Sequence, residues 1–233
     1  MICVLIPTYN NAATLPAVLA SVLEVTPHVL VVNDGSTDGT AATLAGFPEV
    51  QVVGYERNKG KGWALRAGFA RAFTLGYSHA LVMDADGQHY ASDIPVFCAA
   101  LEVHPGAIIV GARNMSQESV PGGSSFGRRF SNFWFRLETG IDCPDTQSGF
   151  RLYPLEPLRV MRFFTVRYEF EIEVLVRAAW RGVPVVSVPV RVYYPPASER
   201  ISHFRPFWDF ARISVLNAVL VILSLFIAKK RRV

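Results

Sequence analysis

Three short, mostly apolar runs near the start of the chain each end in a cluster of polar residues. The runs Ile2–Ile6, His28–Val32 and Ala80–Met83 lack the alternation of a half-exposed strand, which predicts strands buried on both faces. They are followed by Pro7-Thr8-Tyr9-Asn10, Asn33-Asp34-Gly35-Ser36 and Asp84-Ala85-Asp86-Gly87-Gln88. Ligands of open α/β sheets bind beyond the carboxyl ends of the strands, so we expect the three clusters to meet in one site.

The segments between these runs have the spacing of helices. In Ala12–Glu24 the residues Leu15, Val18, Leu19 and Val22 recur on one helical face. Further helices are predicted over Lys61–Leu75 and Ser92–Val103, and a short helix is predicted to end near Gly46. Further strands are predicted over Val50–Tyr55 and Ala107–Val110. Strands that alternate with helices predict an α/β fold with a mostly parallel sheet.

After Gly111 the pattern is less regular. The Ser- and Gly-rich residues 116–125 predict a mobile loop, helices are predicted over Phe126–Leu137 and Tyr168–Arg181, and Asp142–Tyr153 is predicted to be irregular. Val183–Val192 alternates Val with Pro, Ser and Arg. Because proline is poorly tolerated in a central strand, we expect an edge strand or a hairpin arm there.

Composition narrows the class of protein. The chain has 233 residues, 51% of them hydrophobic and 18% charged, which suits one well-buried domain and excludes a disordered chain. The net charge is +4, and four positive charges sit together at 229–232, so we expect no nucleic-acid-binding face. Cys3, Cys98 and Cys143 lack the spacing of a zinc site or a disulfide framework, and Met1–Ile6 lacks the features of a signal peptide. These features favour a reducing, cytoplasmic environment.

The C-terminal segment differs from the rest. Ile213–Ala228 contains 16 residues without a charge and is followed by Lys229-Lys230-Arg231-Arg232. As a helix this stretch spans about 24 Å, against about 30 Å for the hydrocarbon core of a bilayer. A helix that starts amphipathic and becomes apolar all round fits shallow or oblique membrane entry, with the basic cluster on the cytoplasmic side. The alternatives are a buried core helix or an oligomer contact. We therefore divide the chain into a domain at 1–205 and a membrane-associated helix with a basic tail at 206–233.

Asp84 and Asp86 place two carboxylates one residue apart at the end of a predicted strand. Hard divalent cations prefer oxygen ligands, and Mg²⁺ is usually held by one or two carboxylates together with substrate phosphates. Gln88 adds a neutral oxygen, whereas His89 is expected to be a supporting or surface residue. Alone, an Asp-x-Asp sequence is more often a solvated turn, but its position after an apolar strand favours a metal site.

Two common nucleotide-binding motifs are absent from the sequence. There is neither a GxxxxGK[ST] motif nor a GxGxxG motif after the first strand, which argues against a P-loop nucleotide triphosphatase. Asn58-Lys59-Gly60-Lys61-Gly62 is glycine-rich and basic at the start of a predicted helix. It is a plausible anion site or, alternatively, a capped loop.

The ordered set of motifs resembles family-2 glycosyltransferases of the GT-A fold. The resemblance is carried by Ile6–Asn10, Val31–Asp38, Asn58–Gly60 and Met83–His89, and it covers roughly residues 1–205. Asp145-Thr146-Gln147-Ser148-Gly149-Phe150-Arg151 is similar to the dolichyl- or polyprenyl-phosphate-sugar synthase-like branch. The resemblance implies a Rossmann-like nucleotide-sugar-binding fold and an inverting transfer from a nucleoside-diphosphate sugar with Mg²⁺ or Mn²⁺.

The resemblance also implies roles for individual residues. Pro7, Tyr9 and Asp34 would hold the nucleoside, with Lys59 and Ala85 beside the donor, and Asp84, Asp86 and Gln88 would hold the metal and the diphosphate. The arginines that contact phosphate in that branch are matched here by Arg113 and Arg129 and, more loosely, by Arg200. Asn11 stands where the synthases usually have an acidic residue, so the base and ribose contacts, and hence the nucleotide, stay open.

Two carboxylates are candidates for a general base. Asp145 is the first because it lies in the family-like loop, and Glu171 is the second because it projects from the apolar side of the helix Tyr168–Arg181. Glu169, Glu173 and Arg177 are predicted to form a solvated stripe on that helix, whereas buried Glu171 needs a partner such as Arg151. A lipid-phosphate acceptor is already an anion and needs little or no base.

Several functions fit these residues. The first is transfer of a sugar to a lipid-linked acceptor at the cytoplasmic face of the cell membrane. The alternatives are transfer to a hydroxyl acceptor in envelope polysaccharide or lipid and pigment biosynthesis, nucleotidyl transfer, and a non-catalytic membrane-bound protein that binds nucleotide sugars. The sugar, the nucleotide base, the acceptor and the oligomeric state do not follow from the sequence.

Overall fold

A computed structural model describes residues 1–114, 122–194 and 204–230 of the chain. The strands are β1 Ile2–Thr8, β2 Val29–Asn33, β3 Gln51–Gly54, β4 His79–Val82, β5 Ile108–Arg113, β6 Arg151–Pro154 and β7 Val185–Val190. The helices are α1 Leu15–Leu23, α2 Thr40–Ala45, α3 Lys61–Thr74, α4 Ile94–Val103, α5 Gly122–Thr139, α6 Leu155–Arg159, α7 Phe170–Trp180 and α8 Pro206–Lys230. Most of the loop predicted at 116–125 lies outside the described residues, although α5 already begins at Gly122.

The seven strands form one sheet in the order β3-β2-β1-β4-β6-β5-β7. All neighbours are parallel except β6, which runs antiparallel to both β4 and β5. The prediction of a mostly parallel α/β sheet is therefore confirmed, and β7 is the predicted edge strand. The prediction of irregular structure over Asp142–Tyr153 is wrong at its end, because β6 begins at Arg151. A segment as short as Arg151–Pro154, which begins with an arginine, has no hydrophobic pattern from which a strand could be predicted.

Both faces of the sheet are covered by helices, which explains the continuous apolar runs. Along β1, Val4 and Ile6 face a core shared with α1 and α4, whereas Cys3 and Leu5 face a core shared with α3 and α7. A strand buried on both faces has no polar side to alternate with its apolar one. The polar residues are thereby confined to the strand ends.

Helix α8 packs along the second of these cores with one stripe of its surface. Its 25 residues extend for about 37 Å. Asp209, Ile213, Asn217 and Leu220 are buried against the domain, where α8 contacts α5 and α7. Within the described residues, the stretch Phe207–Ile227 is long and apolar enough to cross a membrane, and only 17% of its most apolar part is buried. The division of the chain at residue 205 stays a prediction.

The carboxylate of Glu138, near the end of α5, is buried. Neither of its side-chain oxygens is paired within the described residues, although the indole of Trp180 donates to its backbone carbonyl at 2.8 Å. Burial raises the pKa of this carboxyl from 4.5 to about 8. A buried carboxylate without a partner is costly, so the native state favours the protonated form.

This burial predicts a pH dependence of stability. Between about pH 4.5 and pH 8 the native state keeps a proton that the unfolded state releases, so the free energy of unfolding falls as the pH rises through this window. Glu138→Gln is expected to remove that part of the slope in urea unfolding measured from pH 5 to pH 9. Glu102→Gln, at an exposed position on α4, is the matched control and should keep it. Equal slopes in wild type and Glu138→Gln would contradict the prediction.

Candidate active site

The three polar strand ends meet in one cleft of about 560 Å³ at the carboxyl edge of the sheet. Its predicted lining residues are Pro7, Tyr9, Asn11, Asp34, Asp84, Ala85 and Asp86. Lys61, Arg167, Tyr168, Phe204 and Arg205 complete much of the wall. The structure therefore brings together the groups that the sequence placed on three separate strands.

The ends of β1 and β2 are tied to each other by side-chain hydrogen bonds. Asn10 has a φ of 52°, its backbone N–H donates to the Ser36 hydroxyl at 3.0 Å, and its side-chain oxygen accepts from the Thr37 N–H at 2.8 Å. The Asn11 N–H donates to Thr40, and the Asn11 side-chain oxygen accepts from the Tyr9 N–H. These bonds fix Tyr9 and Asn11 on the cleft wall, where a nucleoside could contact them.

Asp34 organises the loop that opens α3. Its carboxylate accepts from the N–H groups of Lys59 and Gly60 at 2.8 and 2.9 Å, and from the Asn58 side chain at 2.9 Å. Gly60 has a φ of 101°, and a Cβ there would lie 2.6 Å from the Val166 carbonyl oxygen, so only glycine fits. Asp34 therefore both lines the cleft and holds its neighbouring loop.

Of the two lysines in Asn58–Gly62, Lys61 rather than Lys59 lines the cleft. The Lys59 ammonium lies 4.9 Å from the ring centroids of Tyr55 and Trp63, and Lys59 is not part of the cleft wall. The Lys61 ammonium contacts Asp84 at 2.8 Å and Glu171 at 3.1 Å. Within the expected anion-binding segment Asn58–Gly62, Lys61 therefore takes the place at the cleft that the resemblance implied for Lys59.

The acidic pair is electrostatically asymmetric. Burial opposes ionisation of Asp84, but the Lys61 ammonium holds its pKa below the ordinary value. Burial, and then the charge of Asp84, raises the pKa of Asp86 to about 6. The charge of the Asp84 carboxylate is therefore balanced by Lys61, whereas the ionised form of Asp86 is destabilised.

This donor set fits a divalent cation that is shared with a substrate. No group of three His, Cys, Asp or Glu residues comes together within the described parts of the chain. Two carboxylates are nevertheless the usual protein share of a Mg²⁺ site that phosphates complete. A cation between them would offset the burial and the repulsion by Asp84 that together raise the pKa of Asp86. The Gln88 N–H donates to Asp86 at 3.0 Å, but Gln88 does not line the cleft.

His89 lies beside the acidic pair and is buried. Its ring packs on Phe150 with centroids 4.9 Å apart, and its Nδ1 atom has no hydrogen-bond partner among the described residues. Burial lowers its pKa to about 4, so the ring is neutral near pH 7. His89 is a buried supporting residue rather than a surface residue.

Asp145 is not placed as a general base. It is 0% exposed, and its two oxygens accept from the guanidinium of Arg113 at 2.7 and 2.9 Å and from the Arg113 N–H at 3.1 Å. Both oxygens of this buried carboxylate are engaged by Arg113, and Asp145 does not line the cleft, so it is not within reach of a hydroxyl acceptor bound there. The geometry corrects our expectation, because Asp145 positions Arg113 instead.

Glu171 and Arg151 also differ from the expected pair. The Glu171 carboxylate contacts Lys61, whereas buried Arg151 donates to the Glu171 backbone carbonyl at 2.6 Å. Arg151 further donates to the carbonyls of Ser148 and Thr146 at 2.6 and 2.7 Å. Arg151 thereby ties the 145–151 loop to the start of α7.

The solvated stripe predicted on α7 is wrong. Glu169 and Glu173 are buried, and the Glu173 carboxylate accepts from the backbone N–H groups of Phe164 and Thr165. The preceding segment folds back over this face of the helix and covers it. Helical periodicity cannot show such a covering, because it depends on a segment outside the helix.

Of the remaining predicted arginines, Arg129 does not line the cleft. Arg129 is exposed on α5, while neighbouring Arg128 donates to the Pro144 carbonyl at 3.2 Å. Arg200 lies outside the described residues. Arg167 and Arg205 line the cleft instead. Neither of them had a local signal, because both belong to irregular segments before α7 and α8.

Comparison with known proteins shows the family of the chain. The sequence pattern of Glycosyl transferase family 2 matches residues 3–161. The chain is 34% identical over 206 residues to polyprenol monophosphomannose synthase of Mycolicibacterium smegmatis, covering 80% of this chain and 75% of the relative. It is 30% identical over 203 residues to undecaprenyl-phosphate mannosyltransferase of Micrococcus luteus, covering 80% and 81%.

Solved structures share the fold. Glucosyl-3-phosphoglycerate synthase from Mycobacterium tuberculosis, in complex with Mn²⁺, uridine diphosphate and phosphoglyceric acid, superposes with a TM-score of 0.71 at 20% identity. The match covers 96% of this chain and 78% of that one. The sheet, the cleft and the extent of the family match lead to one conclusion: the chain is a glycosyltransferase and belongs to glycosyl transferase family 2.

Proposed function

We propose that the protein transfers a sugar, with inversion, from a nucleoside-diphosphate sugar to a polyprenyl phosphate at the cytoplasmic face of the membrane. The observation that carries this proposal is the meeting of Tyr9, Asp34 and the Asp84–Asp86 pair in one cleft of about 560 Å³. The relatives named for polyprenol- and undecaprenyl-phosphate chemistry support the acceptor class. The apolar surface of α8 supports the location.

The cleft has two chemically different ends. Pro7, Tyr9, Asn11 and Asp34 form the end that suits a nucleoside, because it offers a ring, an amide and backbone groups. Asp84 and Asp86 would hold Mg²⁺ or Mn²⁺ at the other end, where the metal neutralises charge on the leaving diphosphate.

Positive side chains also line the cleft or lie beside its acidic pair. Arg167 and Arg205 line the cleft, and Lys61 lies between Asp84 and Glu171. Such groups stabilise the negative charge that grows on the diphosphate as the glycosidic bond breaks. Their placement on three separate elements orients the donor from several sides.

The state of the two candidate bases favours a phosphate acceptor. Asp145 is held by Arg113, and Glu171 is held by Lys61. Neither carboxylate lines the cleft, and each contacts a cation instead. A lipid phosphate attacks as an anion and requires no proton removal, whereas a hydroxyl acceptor requires it.

The proposal is tested by offering one lipid in two forms. The full chain is incubated with Mn²⁺, a panel of nucleotide sugars and either undecaprenyl phosphate or undecaprenol in detergent, and the lipids are analysed by mass spectrometry. We expect a glycosylated lipid phosphate and a released nucleoside diphosphate, at a rate about 100-fold or more above that with the alcohol. Equal transfer to the alcohol would favour the hydroxyl-acceptor alternative, and release of pyrophosphate would indicate a nucleotidyltransferase.

A further inference from the structure

Lys61 contacts two carboxylates at the same time. Its ammonium lies 2.8 Å from an oxygen of Asp84 and 3.1 Å from an oxygen of Glu171. The three side chains come from the first residue of α3, the segment after β4 and the first turn of α7. An ammonium has three N–H donors, so one lysine can bind both carboxylates. Its single positive charge leaves this trio with one more negative charge than positive.

The Asp84 carboxylate is the group that Lys61 and a divalent ion would share. Asp84 lines the cleft, and its Oδ1 atom is the oxygen that contacts the Lys61 ammonium. An ammonium and a divalent ion on the same carboxylate repel each other, and the repulsion grows as the distance between them shortens. Tight binding of a divalent ion at Asp84 therefore requires that the Lys61 ammonium turn away from this carboxylate.

Glu171 is placed to receive the ammonium. Its carboxylate is only 13% exposed and does not line the cleft, which separates it from a donor bound there. The backbone of Glu171 is fixed from behind, because fully buried Arg151 donates to its carbonyl at 2.6 Å. The Trp63 N–H donates to the Val166 carbonyl at 2.9 Å, which holds the start of α3 beside the segment that leads to α7. Lys61 has a flexible four-carbon stem, so the lysine is the partner that moves.

We propose that Glu171 is a positioning residue that draws the Lys61 ammonium from Asp84 and thereby sets the affinity of the acidic pair for a divalent cation. With its ammonium on Glu171, Lys61 leaves the Asp84 oxygen to the cation and stays beside the acidic pair. The inference rests on the divalent ion in the proposed function, and it gives Glu171 a role that involves no proton transfer.

The test is the binding of Mn²⁺ alone to the full chain, with free Mn²⁺ measured by electron paramagnetic resonance. Glu171→Gln keeps the shape of the side chain but removes its charge, so the ammonium stays on Asp84, and we expect the Kd for Mn²⁺ to rise about tenfold. Lys61→Met removes the competing ammonium, and its Kd should fall about tenfold. Glu156→Gln, which removes a 66% exposed carboxylate from α6, is the control and should bind Mn²⁺ like wild type.

A double variant separates positioning from a direct effect of charge. Glu171→Gln also removes a negative charge near the bound cation, and this direct effect is present with or without Lys61. If Glu171 acts through Lys61, the loss of affinity that Glu171→Gln causes should be about fivefold smaller in the Lys61→Met background than in wild type. Circular dichroism melting of each variant establishes that it is folded. Glu171→Asp, which shortens the side chain by one methylene group, provides the same comparison if Glu171→Gln does not fold.

Two outcomes would overturn the inference and leave the proposed function intact. If Glu171→Gln weakens Mn²⁺ binding by the same factor in both backgrounds, Glu171 acts by its charge alone. If Lys61→Met binds Mn²⁺ no more tightly than wild type, the ammonium does not compete for Asp84. A third outcome reaches further: if neither wild type nor Lys61→Met binds Mn²⁺, the metal assignment in the proposed function fails together with the inference.

Discussion

Replacing Asp86 with asparagine is expected to lower kcat/KM for sugar transfer by about a hundredfold to a thousandfold. The variant loses one of the two carboxylates that would hold the divalent ion against the donor diphosphate, and with it the neutralisation of the leaving group. The measurement is the rate of nucleoside-diphosphate release at saturating Mn²⁺, together with calorimetric binding of the nucleotide with and without the metal.

The fold of this variant is expected to survive. Burial and the charge of Asp84 raise the pKa of Asp86 to about 6, so the ionised side chain costs native-state free energy at pH 7. Asp86→Asn removes that cost, and the melting temperature of the metal-free protein should stay the same or rise. Asp142→Asn, at an exposed position, is the control for loss of a carboxylate. Full activity of Asp86→Asn would remove the metal-site assignment.

The second large effect is expected at Gly149, where a single methyl group would enter the acidic site. A Cβ at this position would lie 2.3 Å from an Asp84 carboxylate oxygen and 3.2 Å from the Lys61 ammonium. A carbon and an oxygen cannot approach so closely, and the short Asp84 side chain must therefore move. Because a displacement of about 1 Å near the reacting groups can cost about a hundredfold, we expect Gly149→Ala to lower kcat by roughly that factor.

The matched control for this variant is Gly106→Ala. A Cβ at Gly106 would meet no atom within 4 Å, so the same methyl group there should leave activity unchanged. Metal-free nucleotide binding should persist in Gly149→Ala, since Tyr9 and Asp34 follow β1 and β2 and belong to a different part of the chain from the 145–151 loop. If both alanine variants turn over at the wild-type rate, Asp84 is not held as closely as the structure places it.

The residues that sequence reasoning placed well all lie at the ends of buried parallel strands. A run such as Ile2–Ile6 defines its own strand, and the first polar residues after it must lie at the sheet edge. Since parallel strands end at one edge, Tyr9, Asp34 and Asp84 could be expected together before any coordinates were considered. The same logic does not extend to β6, which is short, antiparallel and begins with an arginine.

The chain's periodicity and motif order by themselves determined the α/β class, the family and the strand ends of the cleft. Tertiary structure alone decided which charges meet. Lys61 rather than Lys59 reaches Asp84, Asp145 holds Arg113, and Glu173 rather than Glu171 is the more deeply enclosed carboxylate of α7. Strand and helix periods are local properties of consecutive residues, whereas an ion pair or a covered helix face depends on segments far apart in the chain, whose approach only the packed core defines.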